Sequence, residues 1–186
     1  MQRNSFFSRF IRSIFIFSLV ALSSLSFAET LPSGYGKIKL GMGVDSVKDA
    51  LKSVADFGYR GDRDVSLSPT SKEVIIETDA TFLSQSFFNR CWFQFYEGNL
   101  YIITLNLNPA RIDYNSVFKT LCNKYGSPQL LNPDKSVWQD GSVIMSLEKP
   151  LALKYVDASQ FQKLQDTSKV DKTQTEKSRE NFLEGL

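Results

Sequence analysis

Few of the side chains that commonly carry out chemistry in proteins are present in this chain. Its 186 residues include no histidine and only two cysteines, Cys91 and Cys122. Histidine is the commonest metal ligand and the commonest general base near neutral pH, so Ser–His and Cys–His nucleophile pairs are impossible. Acidic pairs such as Asp62 and Asp64 could serve a hydrolase, but scattered surface acids are much commoner. We therefore expect no enzymatic activity, no metal site and no cofactor.

The two cysteines are placed where one core layer could hold both. Cys91 alternates with Phe93 and Phe95 on one face of a predicted strand, and Cys122 lies on the apolar face of a predicted helix. In an oxidising compartment they could form a disulfide. That bond would close a loop of about 31 residues and contribute roughly 3–4 kcal/mol in the chain-entropy model. The alternative is two buried thiols that behave as small hydrophobic groups.

A charged segment, Tyr59–Asp64, contains the tripeptide Arg60-Gly61-Asp62. In a secreted protein this tripeptide raises an adhesion hypothesis, in which a receptor cation binds Asp62 and an acidic site binds Arg60. Such a tripeptide also arises by chance in roughly a few per cent of chains of this size. We favour the alternative, a charged loop held by internal ion pairs.

The first 28 residues have the three parts of a cleavable export signal. A basic leader (Arg3, Arg9 and Arg12) precedes a short apolar run, and Ser26-Phe27-Ala28 offers small residues for cleavage before Glu29. The apolar run is shorter than the roughly 20 residues of a membrane span, although an uncleaved amphipathic anchor is an alternative. No cysteine follows the cleavage point, which argues against a lipid anchor. We expect cleavage after Ala28, a periplasmic or secreted protein, and no integral membrane span.

The charge of the chain argues against nucleic acid once the leader is set aside. The chain has 22 basic and 20 acidic residues, and removing the three leader arginines leaves 19 basic residues against 20 acidic ones. Nucleic-acid affinity comes largely from phosphate neutralisation, so we expect no nucleic-acid partner. The remaining length suffices for one domain with a real core, which we place at residues 29–158.

The first half of this domain has the pattern of a helix followed by strands. Val44, Val47, Leu51 and Val54 recur at helical spacing, and Phe57-Gly58 ends the helix. Strands are predicted at Val65–Leu67, Glu73–Glu77, Phe87–Tyr96 and Leu100–Asn108, the last two forming the strongest pair.

The second half repeats this order. Asp113 is expected to cap a helix whose apolar face comprises Tyr114, Val117, Phe118, Leu121, Cys122 and Tyr125. Asp140-Gly141 predicts a type I′ hairpin turn between Ser136–Gln139 and Ser142–Glu148, with Trp138 opposite Val143 in the core. A last strand follows at Leu151–Val156, and the polar segment 159–186 is expected to be a mostly disordered tail with transient helix.

The element order predicts an α+β fold built from two helix-plus-antiparallel-meander repeats, at about 37–108 and 109–158. Both helices would pack on one face of an antiparallel sheet and leave the other face open. Tandem units of this kind resemble the β-lactamase-inhibitor-like repeat fold. The segment 36–42, Gly-Lys-Ile-Lys-Leu-Gly-Met, followed by Asp45, Val47, Ala50 and Leu51, resembles the opening of the SmpA/OmlA-type outer-membrane assembly lipoproteins. These resemblances imply a binding module without catalysis.

The register of the central hairpin decides which residues would bind a partner. With Glu97-Gly98-Asn99 as a three-residue loop, Tyr101, Ile103, Leu105 and Leu107 join Cys91, Phe93 and Phe95 under the helices. A two-residue loop would shift each pairing by one. The preferred register leaves the opposite face to Trp92, Gln94, Tyr96, Leu100, Ile102 and Thr104.

That second face is unusually apolar for a solvated surface. Contiguous apolar area indicates a partner surface, and Trp and Tyr are typical of binding hot spots. The alternative is that the tail or the loop containing Asp62 covers it. We expect an exported interaction module that binds a cell-envelope protein or peptide there, and the alternative is a small-ligand carrier with a pocket between helices and sheet. The predicted binding residues are Trp92, Gln94, Tyr96, Leu100 and Ile102, together with Arg60 and Asp62.

Overall fold

The structure, a computed structural model, describes residues 30–67 and 72–184, and the predicted leader lies outside them. The described residues form ten strands: β1 (Gly34–Tyr35), β2 (Ile38–Lys39), β3 (Val65–Leu67), β4 (Glu73–Asp79), β5 (Phe88–Tyr96), β6 (Asn99–Leu107), β7 (Leu130–Leu131), β8 (Lys135–Gln139), β9 (Val143–Glu148) and β10 (Ala152–Asp157). The same residues form three α-helices: α1 (Val44–Lys52), α2 (Tyr114–Tyr125) and α3 (Ala158–Glu184).

One antiparallel sheet organises the fold. Its strand order is β3-β4-β5-β6-β10-β9-β8-β7, and β1 pairs with β2 in a separate hairpin. Helix α1 precedes the meander β3–β6, α2 precedes the meander β7–β10, and the two meanders join where β6 pairs with β10. The α+β class is confirmed, and the relation of the two halves as repeats stays a prediction.

Both amphipathic helices that the apolar spacing predicts are present. In α1, Val47 and Leu51 are buried, and the chain leaves the helix through a short 3-10 turn that ends at Gly58. In α2, the Asp113 carboxylate accepts a hydrogen bond from the Ser116 backbone N–H at 2.9 Å, which confirms Asp113 as the N-cap.

The core lies between these helices and one face of the sheet. Every second residue of the central strands points into it, as the strand periodicity requires. Its largest fully buried side chains are Trp138, Phe57, Phe93, Phe95, Ile38, Leu51, Ile76, Leu100, Ile103, Leu105, Met145 and Leu147.

The central hairpin has a different loop from the predicted one. Tyr96 pairs with Asn99 across a two-residue turn, Glu97-Gly98, and both turn residues have positive φ (49° and 80°), as in a type I′ turn. A β-bulge follows at Tyr101, because Leu100 pairs with Phe95 and Ile102 pairs with Gln94. The extra residue restores the predicted alternation beyond it.

The bulge changes the position of two residues from the predicted one. Leu100 was expected on the open face, but it is fully buried in the core. Tyr101 was expected under the helices, but it is only half-buried. Burial and the nearby Glu73 carboxylate raise the pKa of Tyr101.

The second hairpin also differs from its prediction. Trp138 pairs with Met145 instead of Val143, and this shift of two residues keeps it on the same face, where it is buried as predicted. The turn is not type I′, because only Gly141 has a positive φ (93°). The Asp140 carboxylate instead accepts hydrogen bonds from the backbone N–H groups of Ser142 and Val143.

The polar C-terminal segment is helical in the structure, and the mostly disordered tail with transient helix stays a prediction. Asp157 accepts a hydrogen bond from the Gln160 backbone N–H at 2.9 Å, and α3 runs on to Glu184. Gln, Lys and Glu have good helix propensity even where they offer little apolar surface to bury. Within the described residues, no helix has both the length and the apolarity needed to cross a membrane.

Candidate functional site

The sheet face turned away from α1 and α2, here called the open face, carries side chains in rows across the strands. One row is apolar at four of its six positions and comprises Ile75, Gln94, Ile102, Val156, Ile144 and Gln139. The row beside it comprises Glu77, Trp92, Thr104, Lys154, Ser146, Val137 and Leu130. An aliphatic stripe with an amphipathic row along one side can bind a partner through both apolar burial and hydrogen bonds.

Four of the residues predicted for binding lie on this face. Trp92, Gln94 and Tyr96 are partly exposed on β5. Ile102 sits beside Gln94 and is only 8% exposed, so its neighbours shield most of it. Leu100 is the exception, because the bulge turns it into the core.

The sequence suggests two segments as covers for the open face, the C-terminal tail and the loop containing Asp62. Beyond Leu164, the side chains of α3 that the structure describes are exposed. The segment Arg60–Asp64 adjoins β4 and lines a shallow depression with Glu77, Asp79 and Arg90. It borders the open face at the β4 end.

Charged side chains on the open face form ion pairs at the β4 edge and are few near the centre of the sheet. Arg90 approaches Glu77 at 3.7 Å and Asp79 at 3.6 Å. Lys154 lies on the middle strand β10 between Thr104 and Ser146, and it makes no ion pair within the described residues. A single cation beside the apolar row would favour a partner with a carboxylate.

The Arg60-Gly61-Asp62 segment is tied into the protein by two ion pairs. Arg60 contacts the buried carboxylate of Asp64 at 3.1 Å, and Lys48 of α1 contacts Asp62 at 3.0 Å. Hydrogen bonding to Asp62 raises the pKa of Lys48. Both charged members of the tripeptide therefore have an internal partner, although the Asp62 side chain is itself 93% exposed.

A second feature, missed by the sequence patterns, lies on the other side of the sheet. A cavity of about 540 Å³ opens between α2, the β1–β2 hairpin and the helix-covered face of the sheet, and cavities of roughly 300–1,000 Å³ are typical of small-molecule sites. Its walls are mostly apolar and include Phe88, Leu105, Leu107, Ile112, Val117, Leu121 and Leu153. Polar side chains that line it include Lys39, Lys124 and Tyr155.

The two cysteines are free thiols in the structure. Cys91 is fully buried on β5, and burial raises the pKa of its thiol to about 12. Cys122 is half-buried on α2, and burial raises its pKa as well. A thiol with such a raised pKa is a poor nucleophile, because the thiolate is the reactive form.

Among the described residues, no group of three or more Cys, Asp or Glu side chains is arranged to hold a metal ion.

Comparison with known proteins gives one match for this chain. A family model described as the TP0088 domain matches residues 33–167, which include every strand and the first two helices. No curated protein and no solved structure matches the chain.

Proposed function

The chain belongs to the TP0088 domain family, and we propose that it is an exported, non-enzymatic interaction module of the cell envelope. It binds a protein or peptide on the open face of its sheet. One observation supports the proposal: the open face carries an aliphatic row that is partly exposed at Ile75 and Ile144, with the partly exposed Trp92 in the row beside it. Apolar side chains that reach a sheet surface beside a tryptophan are typical of a binding surface.

The contacts support a peptide or protein ligand of mixed character. Ile75 and Ile144 offer aliphatic surface, while Trp92 and Tyr96 offer aromatic side chains that can both pack and donate hydrogen bonds. Lys154 adds one positive charge near the middle. A ligand segment with apolar side chains and one carboxylate matches this surface.

Affinity capture from cell envelopes after crosslinking tests the proposal. Trp92→Ala should reduce the yield of the captured partner about tenfold or more, since aromatic hot spots often contribute 2 kcal/mol or more. The melting temperature should change little, because Trp92 packs on the open face only. Leu67→Ala is the matched control, because Leu67 is 73% exposed and faces the other side of the sheet. Equal capture by the parent and Trp92→Ala would overturn the proposal.

Export is a separate part of the proposal, and its support is the pattern of the first 28 residues. Sequencing the N-terminus of the protein isolated from cells tests it. The expected N-terminus is Glu29 in an envelope or secreted fraction. A chain that retains Met1 in the cytoplasmic fraction would contradict export without affecting the binding site.

We also propose that the two halves are structural repeats. The support is topological, since each half consists of one helix and a four-stranded meander, and the two meanders join in antiparallel order through β6 and β10. Superposing the backbone of 44–107 on that of 114–157 tests it. Helices that fail to overlay when the strands are matched would contradict the repeat.

The second candidate function is a small-ligand carrier, and the cavity beneath α2 specifically favours it. Native mass spectrometry of the protein purified from its own cells tests both functions. A retained small molecule supports the carrier, and a retained protein supports the interaction module.

A further inference from the structure

The cavity beneath α2 has an apolar end and a polar end. At one end, Phe88 pairs with Leu107 where β5 begins and β6 ends, and Ile112 follows just before α2. At the other end, Tyr155 is paired with Ile103, and a Cβ placed on Gly34 of the β1–β2 hairpin would lie 3.0 Å from Ile103 Cδ1. The hairpin therefore crosses above the Tyr155 end.

Two lysines line the cavity. Lys39 pairs with Gly34 in the hairpin, and Lys124 lies in the last turn of α2. Neither makes an ion pair within the described residues. None of the residues that line the cavity is an aspartate or glutamate. The cavity therefore has two cationic groups without anionic partners, which favours an anionic ligand group.

Tyr155 adds a hydrogen-bond donor inside the cavity. Its side chain is only 4% exposed, it lines the cavity, and its hydroxyl makes no hydrogen bond to the rest of the described chain. The hydroxyl is not among the fully buried unpartnered polar atoms of the described residues, so it is accessible in the cavity wall, where it can donate to a ligand atom. Burial, followed by the nearby Tyr125 and Tyr35, raises the pKa of Tyr155, so the hydroxyl stays protonated and able to donate.

We propose that the cavity binds one monomeric long-chain carboxylate, a ligand of the fatty-acid type. Its alkyl chain lies along Leu107, Ile112 and Val117, and its carboxylate accepts the Tyr155 hydrogen bond in the field of Lys39 and Lys124. Apolar walls with one polar, positively charged end match this amphipathic shape. The site lies on the opposite side of the sheet from the open face, so it is independent of partner binding there.

Calorimetric titration of the purified protein with a series of carboxylates, each below its micelle concentration, tests the proposal. From octanoate through decanoate to dodecanoate, affinity should rise about fourfold per added methylene, because each buried methylene contributes nearly constant free energy. The rise should stop once the cavity is full. Binding should saturate at one molecule per chain.

Ligands with the same chain and different head groups test the polar end. Dodecanol and dodecyltrimethylammonium should bind at least about tenfold more weakly than dodecanoate, since they lose the charge-assisted hydrogen bond. Dodecanol binding as tightly as dodecanoate would overturn the assignment of the head group. Adsorption to phosphatidylglycerol vesicles without saturable binding of monomeric dodecanoate would overturn the cavity as the site.

Variants locate the site within the protein. Tyr155→Phe should weaken dodecanoate binding about tenfold, and Lys124→Gln about fivefold. Lys119→Gln is the matched control, because Lys119 is an exposed residue of the same helix outside the cavity lining. Unchanged affinity in Tyr155→Phe, or an equal loss in Lys119→Gln, would overturn the polar end.

Filling the cavity gives the final test. Val117→Trp should abolish dodecanoate binding, and Leu153→Phe provides a second filled variant if the first does not fold. Circular dichroism and the melting temperature establish that the variant is folded. A folded variant that binds dodecanoate as well as the parent would overturn the proposal.

Discussion

The two helix-covered halves of the sheet are filled differently, although each is one helix over a meander. Beneath α1, Val47 and Leu51 are essentially inaccessible, and Phe57 and Phe93 occupy the space between helix and strands. Beneath α2, Val117 and Leu121 retain some exposure and border the cavity of about 540 Å³. The layering of the fold therefore does not require a cavity. It arises from the particular side chains that surround α2, which come from both halves.

The placement of aromatic rings explains the difference. In the first half, Phe57 stacks on Phe88 at 4.6 Å and meets Phe93 edge-on at 5.8 Å. In the second half, Phe118 packs against Trp138 at 6.2 Å. The Trp138 Nε1–H donates to the Gly126 carbonyl at 2.8 Å, which fixes the indole beneath the C-terminal end of α2. Phe118 thus packs towards β8, and the aliphatic side chains Val117 and Leu121 border the cavity together with Tyr125.

The largest expected contrast between the halves is in thiol reactivity. At pH 8 the Cys91 thiol should react with iodoacetamide at least about a thousandfold more slowly than an ordinary cysteine, because a pKa of about 12 leaves little thiolate. Cys122, half-buried on α2, should react first. Peptide mass mapping over time distinguishes the two sites.

Unfolding in denaturant is the control for this contrast, since both thiols should then react at similar rates. Equal alkylation rates of Cys91 and Cys122 in the native protein would contradict the difference in packing between the half beneath α1 and the half beneath α2. A native mass lower by two hydrogens, with no alkylation at either site, would instead mean that Cys91 and Cys122 are bonded.

Truncation of the core should give the next largest contrast. Phe93→Ala, in the filled half, should lower the free energy of unfolding by about 3–5 kcal/mol. Leu121→Ala should cost roughly 2 kcal/mol, near the lower limit for such changes, because its side chain already borders empty space. Urea denaturation of both variants measures the difference. A larger loss for Leu121→Ala would mean that the half beneath α2 is as well packed as the other.

Two glycines allow the packing of the two halves to be compared at the level of the backbone. Gly58 and Gly36 have similar left-handed φ values, 63° and 56°. A Cβ at Gly58 would collide with the Asp79 carbonyl oxygen, whereas a Cβ at Gly36, which lines the cavity, would meet nothing within 4 Å. Gly36→Ala should therefore cost only the strain of the left-handed conformation, about 1–2 kcal/mol.

Gly58→Ala should cost at least about 1 kcal/mol more than this, since the backbone of β4 or of the turn must also shift. Thermal unfolding of the two variants measures the difference directly. Equal melting temperatures would show that the close approach at Gly58 relaxes freely.

The sequence predicted the layers of the fold better than its details. The spacing of Val44, Val47 and Leu51 predicted α1, and Asp113 predicted the start of α2, because helical periodicity and capping are local properties. The bulge at Tyr101 was not predicted because Leu100, Tyr101 and Ile102 are all apolar. The alternation of polar and apolar residues therefore does not show which of them faces the core. Composition predicts a mostly disordered tail because it reports how much surface can be buried, and the helix α3 reflects the helix propensity of the same residues.

The candidate sites illustrate the same limit. The open face followed from alternation along β5, and Trp92, Gln94 and Tyr96 lie where the sequence places them. The cavity did not follow, because apolar periodicity predicts which side chains face the core and not whether they fill it. Its polar end depends on the β1–β2 hairpin crossing near Ile103, a contact between residues far apart in the chain.

The smallest expected effect concerns one hydroxyl group in the half beneath α2. Tyr155→Phe should change the free energy of unfolding by less than about 0.5 kcal/mol, because the hydroxyl makes no hydrogen bond to the described residues that the variant would lose. Tyr114→Phe is the matched control, since the Tyr114 hydroxyl donates to the Leu147 carbonyl at 3.2 Å and lies 3.3 Å from the Ser136 hydroxyl. The control should cost about 1 kcal/mol.

This pair separates a tyrosine kept for folding from one available to a ligand. If the ligand-free protein loses as much stability in Tyr155→Phe as in Tyr114→Phe, the Tyr155 hydroxyl has a structural partner, and the cavity is merely imperfect packing. If Tyr155→Phe is neutral without ligand and dodecanoate raises the melting temperature of the parent more than that of the variant, the hydroxyl contributes through the ligand alone. Only this second result would show that the cavity beneath α2 is a binding site. In a binding site the unpaired hydroxyl stabilises the protein when the ligand is bound, whereas in a packing defect it does not.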